Sequence, residues 1–348
     1  KFDEIFAESP TSGKIQVDSY FLEQIEKWRE MLANEIFSIN SKINQIELNF
    51  IIQTFLNRII FLRICEDRNL EKYETLMNLN PKDAFNDLLK LFKDADSKYN
   101  SGLFNFTKDV LTEKINLSNT VILKIIQQLY YPQSPYVFSV IDSNLLGEIY
   151  EIFLTKEIII YENMISVKEK PEIIHDAGVT TTPKFIVDEI VSKSLQGVIN
   201  GKTPEQIKSL HFADICCGSG VFLVGMYQYI VDYVINWYVK DGPENHKNQI
   251  YQGAGNTWYL ALVEKHDILI NNIFGVDIDN NATEVAKFSL LIKLLENEND
   301  VSLSSLFIRH KLKGLPDLDE NIQYGNSLVD DTFYKYKKAS NLTREEHN

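Results

Sequence analysis

The sequence predicts an α/β protein in two parts: a helical N-terminal domain over residues 1–170, and a domain of alternating strands and helices around a parallel sheet over residues 171–348. Three observations lead there. In the first half apolar residues recur at spacings of three and four, the period of a helix face. In the second half short apolar runs ending in acids or glycines alternate with amphipathic stretches, which builds parallel strands with right-handed crossovers. Between them lies the polar run Lys168-Glu169-Lys170-Pro171.

Phe21, Ile25, Trp28, Leu32 and Ile36 form one face of a first helix. Ile46 to Leu70 predicts a longer helix with a broad apolar face of Ile51, Ile52, Phe55, Ile59 and Leu62, central to a bundle. Arg63 lies within ion-pair reach of Glu66 and Asp67 on that helix, where a packing or surface role outweighs a catalytic one. Further helices are expected at Pro81–Lys93, Phe106–Glu113, Ser118–Tyr130 and Asn144–Thr155, with almost no strand. After a loop from His175 to Thr182, Pro183 suits a first helical turn with Thr182 as N-cap, and Phe185, Ile186, Ile190 and Val191 are expected to face inward. Lys208–Asp214 leads into a first strand, Asn272–Ile278 is a second and Asn321–Leu328 a third short one. Helices are expected from Val221 and over Ala282–Leu295, and a polar loop over Lys240–Gly255.

The composition, 44% hydrophobic and 24% charged, is that of a soluble globular protein. Three cysteines make no disulfide framework and no zinc spacing, and the six histidines show no ligand pattern, so a reduced, cytoplasmic chain without a metal is expected. A net charge of −14 argues against a stand-alone DNA-binding domain but is compatible with a DNA enzyme whose basic surface lies elsewhere. Lys1 in place of an initiator Met fits processing or a piece of a longer polypeptide. Val221 to Val239 is apolar enough to raise a membrane span, but Gln228, Asp232 and Asn236 make a polar stripe that a bilayer would penalise.

The chemistry concentrates at Asp214-Ile215-Cys216-Cys217-Gly218-Ser219-Gly220-Val221-Phe222-Leu223. A strand ending in an acid, a glycine turn and an apolar helix place backbone against a cofactor at the C-terminal edge of a parallel sheet. Leu223 stands where a dinucleotide site has its third glycine. Asp214 before the turn suits the ammonium of a methionine moiety instead. Asp277 ends the second strand, where a carboxylate can accept both ribose hydroxyls, and Asp279 beyond it suits a helix cap. The separation of turn and acid exceeds the usual span of about 20 residues, which reads as an insertion. Asn326 in Gly325-Asn326-Ser327-Leu328 offers an amide to an adenine edge, or forms a simple turn.

Taken together, Gly178, Thr182-Pro183, the glycine turn, Asn271–Asp279 and Tyr324–Leu328 resemble the cofactor half of the gamma-class adenine-N6 DNA methyltransferases, most of all the large single-chain type IIG restriction-modification enzymes. Leu56–Arg68 and Leu146–Leu154 resemble the helical connector of those enzymes. The resemblance implies a truncated Rossmann-like domain dependent on S-adenosylmethionine (SAM). Thr182 would meet the SAM carboxylate. Asp214, Cys217, Gly218, Ser219 and Gly220 would line the methionine side, and Phe222 would pack against the cofactor. Asp277 would hold the ribose and Ile278 the adenine ring, with Asn326 on the adenine amine and Ser327 or Leu328 beside it. Two departures touch fine contacts: Thr180 and Thr181 replace the tyrosines often found before T-P, and Ile215 replaces the proline often found after the strand-end acid.

The family also implies an N-P-P-Y or N-P-P-F motif, which stacks a flipped adenine and orients its amine. Neither occurs in this sequence. The expectation is therefore a fragment without a catalytic residue, unable to methylate DNA alone. Double-stranded DNA would be the partner of the longer enzyme, with a target-recognition domain after this stretch and a nuclease domain before it. A methyltransferase of protein, RNA or a small molecule, and a non-catalytic scaffold, are the alternatives.

Overall fold

The structure is a computed structural model and describes residues 10–40, 42–99, 102–134, 138, 155–162, 164–170, 182–299, 301–304 and 314–329. The expected helix at Asn144–Thr155, apart from Thr155, and the loop from His175 to Thr181 lie outside the described residues.

The helical half is built on α1 (Pro10–Ile39) and α2 (Gln45–Asp67), with α3 (Ala84–Tyr99) and α4 (Asn119–Gln127) against them. The face of α1 predicted from periodicity is buried at Phe21, Ile25, Trp28, Leu32 and Ile36. A capping box starts α2: the Asn44 side chain accepts the Glu47 amide, and Glu47 accepts the Asn44 amide. Almost every residue of α2 from Leu48 to Glu66 is buried, so this helix is the centre of the bundle. Among the described residues it alone is long and apolar enough to cross a membrane, and 83% of its apolar window is buried inside the protein. The predicted polar stripe on the later apolar helix is present: Gln228 donates to Asp232, and Asp232 and Asn236 are exposed.

Two charged residues on α2 are locked into this core. Arg58 pairs with Asp109 at 2.6 Å, donates to the Leu103 carbonyl and lies over the Phe106 ring. Arg63 pairs with Asp67, donates to the Leu129 carbonyl and sits 4.2 Å over the Tyr130 ring. The predicted ion pairs of Arg63 are thus packing features, and they are buried. The expected helix at Phe106–Glu113 is replaced by turns. Asn105 accepts the amides of Thr107 and Lys108, and Asp109 accepts those of Leu111 and Thr112. Side chains that satisfy nearby backbone donors compete directly with the helix ladder.

The first half is not free of strand. β1 (Lys156–Tyr161) and β2 (Met164–Glu169) form an antiparallel hairpin that packs on α1 and α2. Its outer edge is closed by side chains of α2. The Asn49 amide donates to the Ile158 carbonyl and accepts the Ile158 amide, and Gln45 accepts the Ile160 amide. Amides one helical turn apart meet every second residue of the strand, which occupies an edge that would otherwise invite another chain.

The second half holds the predicted parallel sheet. β3 (Phe212–Asp214), β6 (Ile273–Asp277) and β7 (Ile322–Tyr324) run parallel in the order β3-β6-β7. The helices are α5 (Lys184–Ile199), α6 (Pro204–Ile207), α7 (Val221–Asp241), α8 (Leu262–Asn272) and α9 (Asn280–Leu294). The stretch read as a polar loop contains a hairpin, β4 (Ile250–Gln252) with β5 (Trp258–Leu260), and leads into α8. This material separates the glycine turn from the second acid. Asn272 ties the end of α8 to the sheet by donating to the carbonyls of Ile207 and Leu210.

Two readings of α5 change. Pro183 is its N-cap and no side chain caps it, so Thr182 does not have the capping role. The buried stripe is Val187, Val191, Leu195 and Ile199, while Phe185, Ile186 and Ile190 are exposed. The reason is Gly225 on α7: a Cβ there would lie 2.9 Å from Val187 Cγ1, so the two helices approach along the valine stripe. Among the described residues β3 is an edge strand of its sheet, and the apolar face of α5 is uncovered.

Candidate cofactor site

The parallel register brings the C-terminal ends of three strands together. Asp214 lies opposite Gly275, and Asp277 lies opposite Tyr324. The glycine turn leaves β3 and opens α7. Gly220 is the N-cap of α7 with φ +85°, and a Cβ on it would sit 2.8 Å from Ala286 Cβ and 3.0 Å from Ala286 Cα on α9. A left-handed backbone and a neighbouring helix backbone both demand glycine there. Gly220→Ala is expected to lower stability by about 3 kcal/mol, the sum of left-handed strain and overpacking. A thermal-denaturation midpoint equal to wild type would contradict this geometry.

Asp277 organises the turn. Its Oδ2 accepts the Gly218 amide at 2.8 Å, and its Oδ1 accepts the Asp279 amide at 2.9 Å. The Cys217 amide donates to the Val276 carbonyl, so the turn is stitched to β6 at two points. Asp214 accepts the Cys216 amide at 3.1 Å. Asp279 caps α9, its Oδ1 accepting the Asn281 amide, as the sequence led one to expect.

The electrostatics are one-sided. Burial raises the Asp214 carboxyl above its ordinary value, the Cys216 amide partly offsets this, and the neighbouring Asp277 charge adds to the rise. Burial and the same two acids push the Cys217 thiol up to about 12, which keeps it neutral and non-nucleophilic. Among the described residues neither Asp214 nor Asp277 is paired with a side-chain cation. Two half-buried carboxylates without a counter-ion favour a cationic ligand and repel a pyrophosphate. SAM, with its ammonium and sulfonium, fits that field.

The other predicted residues lie around this centre in differing states. Ser219 is buried, and its hydroxyl has no hydrogen-bond partner among the described residues. Phe222 packs half-buried against the core. Ile278 is 67% exposed and Leu328 86% exposed, so both present apolar surface at the sheet edge. Asn326 forms a local turn in which its Oδ1 accepts the Leu328 amide, and Ser327 is exposed within it. The Gly325 amide bonds the Asp277 carbonyl, which brings this turn beside the second acid. The Thr182 hydroxyl has no partner among the described residues. A cavity of about 500 Å³ lies elsewhere, between the helical half and the start of α9.

Residues 197–346 match the family model described as MmeI, DNA-methyltransferase domain. The chain is 42% identical over 318 residues to the type II restriction enzyme and methyltransferase RM.Eco57I of Escherichia coli. The chain is related to type II restriction-modification methyltransferases. The alignment with the Escherichia coli enzyme covers 91% of this chain and 31% of that enzyme, so the chain spans about a third of its relative. A putative type II restriction enzyme and methyltransferase of Methanocaldococcus jannaschii, RM.MjaORFECS2P, is 41% identical over 66 residues, 19% of this chain and 5% of that protein. Among solved structures, the type IIL restriction-modification enzyme MmeI in complex with DNA superimposes with a TM-score of 0.47 at 13% identity, over 90% of this chain and 41% of that one.

Sequence reasoning missed one contributor to the site. Lys170, at the end of β2, pairs with Asp279 at 2.7 Å. A lone lysine in a polar junction carries no local signal of such a partner.

Proposed function

We propose that this chain binds SAM at the glycine turn and is the cofactor-binding portion of an adenine-N6 DNA methyltransferase of a restriction-modification system. The observation that carries the reading is the pair Asp214 and Asp277, half-buried around Gly218–Gly220 and, among the described residues, without a cationic side-chain partner. In this reading Asp214 faces the ammonium, with Cys217, Gly218, Ser219 and Gly220 along the methionine chain. The Thr182 hydroxyl takes the carboxylate. Asp277 accepts the ribose hydroxyls, Ile278 and Phe222 offer apolar surface, and Asn326, with Ser327 or Leu328 beside it, meets the adenine. SAM supplies an activated methyl group; the chain's own residues orient it and screen its charges.

The same reading makes residues 1–170 a connector and 171–348 the cofactor domain. Double-stranded DNA is the partner of the longer enzyme, target recognition and a nuclease are functions of other segments, and the compartment is the cytoplasm. The test uses SAM labelled in its methyl group with duplex DNA. Label is expected to bind the protein, and none is expected in adenine, because N-P-P-Y and N-P-P-F are absent from these 348 residues. Failure to bind would overturn the cofactor reading; label in the DNA would overturn the need for the motif.

The raised pKa of Asp214 gives this reading a pH signature. A carboxyl whose folded pKa lies above its unfolded value destabilises the ionised protein, so cofactor-free stability rises as pH falls through the folded pKa. A cationic ligand needs the ionised form, so SAM affinity falls over that same window. Asp214→Asn is expected to raise the melting temperature of the cofactor-free protein and to weaken SAM binding. Thermal shift with and without SAM reads both; opposite signs would remove the electrostatic role.

A further inference from the structure

α9 is the element on which the cofactor site rests. Its N-cap, Asp279, is bonded through its backbone amide to Asp277, whose other oxygen holds the Gly218 amide. About two turns further on, Ala286 lies against Gly220. Displacement of α9 therefore moves both glycines of the turn. The helical half grips this helix near both ends. Lys170 pairs with Asp279 Oδ2 at 2.7 Å, while Asp279 Oδ1 remains on the Asn281 amide. Near the other end, buried Arg68, just past α2, donates to the Ile292 carbonyl at 2.8 Å.

Lys170 is well placed for such a grip. Its own amide donates to the Thr155 carbonyl, which fixes it to the base of the β1–β2 hairpin. The hairpin is in turn held by Asn49 and Gln45 of α2. Between hairpin, α2 and α9 lies the cavity of about 500 Å³, lined by Asn49, Gln53, Lys156, Lys170, Asn280 and Asn281 among others. The ion pair lies at the rim of this cavity, at the start of α9, in addition to the packing of α9 on α2. The Lys170 and Asp279 side chains are 22% and 33% exposed, so the tie is only partly screened.

We propose that Lys170 is a positioning residue for the cofactor site. Through Asp279 it holds the start of α9, and with it Asp277 and the glycine turn, in the arrangement that binds SAM. This inference rests on the cofactor reading above. By linkage the coupling is reciprocal: a cofactor that orders the turn tightens the contact between α9 and the helical half.

The test uses the 348-residue chain with SAM titrated by calorimetry, together with hydrogen–deuterium exchange of the peptide 214–223 in the absence of cofactor. Lys170→Met, which keeps the stem and removes the charge, is expected to weaken SAM roughly fivefold or more and to speed exchange in that peptide. Its urea midpoint is expected to stay near that of wild type. Asp279→Asn keeps an equally good N-cap and should reproduce both effects. Lys170→Arg should restore both, and Lys156→Met, in the same cavity but paired with Glu26, should leave both unchanged. The double variant Lys170→Met/Asp279→Asn should be no worse than either single one. Wild-type affinity and exchange in Lys170→Met, with Asp277→Ala still losing SAM, would overturn the positioning role alone. If Asp277→Ala bound SAM like wild type, the cofactor reading would fail first, and the exchange of the peptide would still decide whether Lys170 holds the turn.

Discussion

Asp277→Ala is expected to lower SAM affinity about 100-fold. Hydrogen bonds to a charged group contribute about 1.5–3 kcal/mol each, so loss of two ribose hydroxyl contacts amounts to about 3 kcal/mol, or roughly two orders of magnitude. The substitution also frees the Gly218 and Asp279 amides, which Asp277 accepts at 2.8 and 2.9 Å. Part of the loss is therefore disorder of the turn itself. Asp277→Asn keeps one oxygen acceptor and should fall between the two. Calorimetry separates these outcomes, and equal affinity of wild type and Asp277→Ala would refute the ribose assignment.

The second large effect lies far from the cofactor. Arg58→Met is expected to destabilise the helical half by about 3–5 kcal/mol, the cost of leaving one partner of a buried ion pair behind. The Arg58 and Asp109 side chains are 1% and 4% exposed. Burial lowers the pKa of the guanidinium from its ordinary value, and Asp109 pulls it back up. Without Arg58 the carboxylate keeps, among the described residues, the amides of Leu111 and Thr112 in an apolar setting shared with Phe92, Phe104 and Phe106. The Arg58→Met/Asp109→Leu pair should recover much of the loss, because it removes the stranded charge. Urea denaturation followed by circular dichroism measures both; a loss below about 1 kcal/mol for the single variant would contradict the buried-pair account.

What was legible in the sequence followed periodicity and local chemistry. Phe21 to Ile36 names a helix face because a period near 3.6 survives any packing partner. Asp214 through Gly220 names a strand, turn and helix because left-handed backbone narrows the choice of residue to glycine. The ends of the parallel strands, and with them Asp214, Asp277 and Gly325, follow from apolar runs closed by acids and glycines. The hairpin at Lys156–Glu169 was not legible. Ile158, Ile159 and Ile160 are a short apolar run that serves helix or strand equally, and the amides that secure it come from Asn49 and Gln45, over 100 positions away. The same holds for α5, where Gly225 on another helix selects the valine stripe over Phe185, Ile186 and Ile190.

The glycine turn shows where the two kinds of information divide. From sequence alone came its residues, its place between strand and helix, and the acid on either side, because these depend on backbone geometry within a few residues. Only the tertiary structure decided that Asp277 accepts the Gly218 amide, that Ala286 fills the space a side chain on Gly220 would need, and that Lys170 ties the α9 cap to the helical half. Those contacts join segments distant along the chain, and a distance of 3 Å between such segments is set by how whole helices and strands pack.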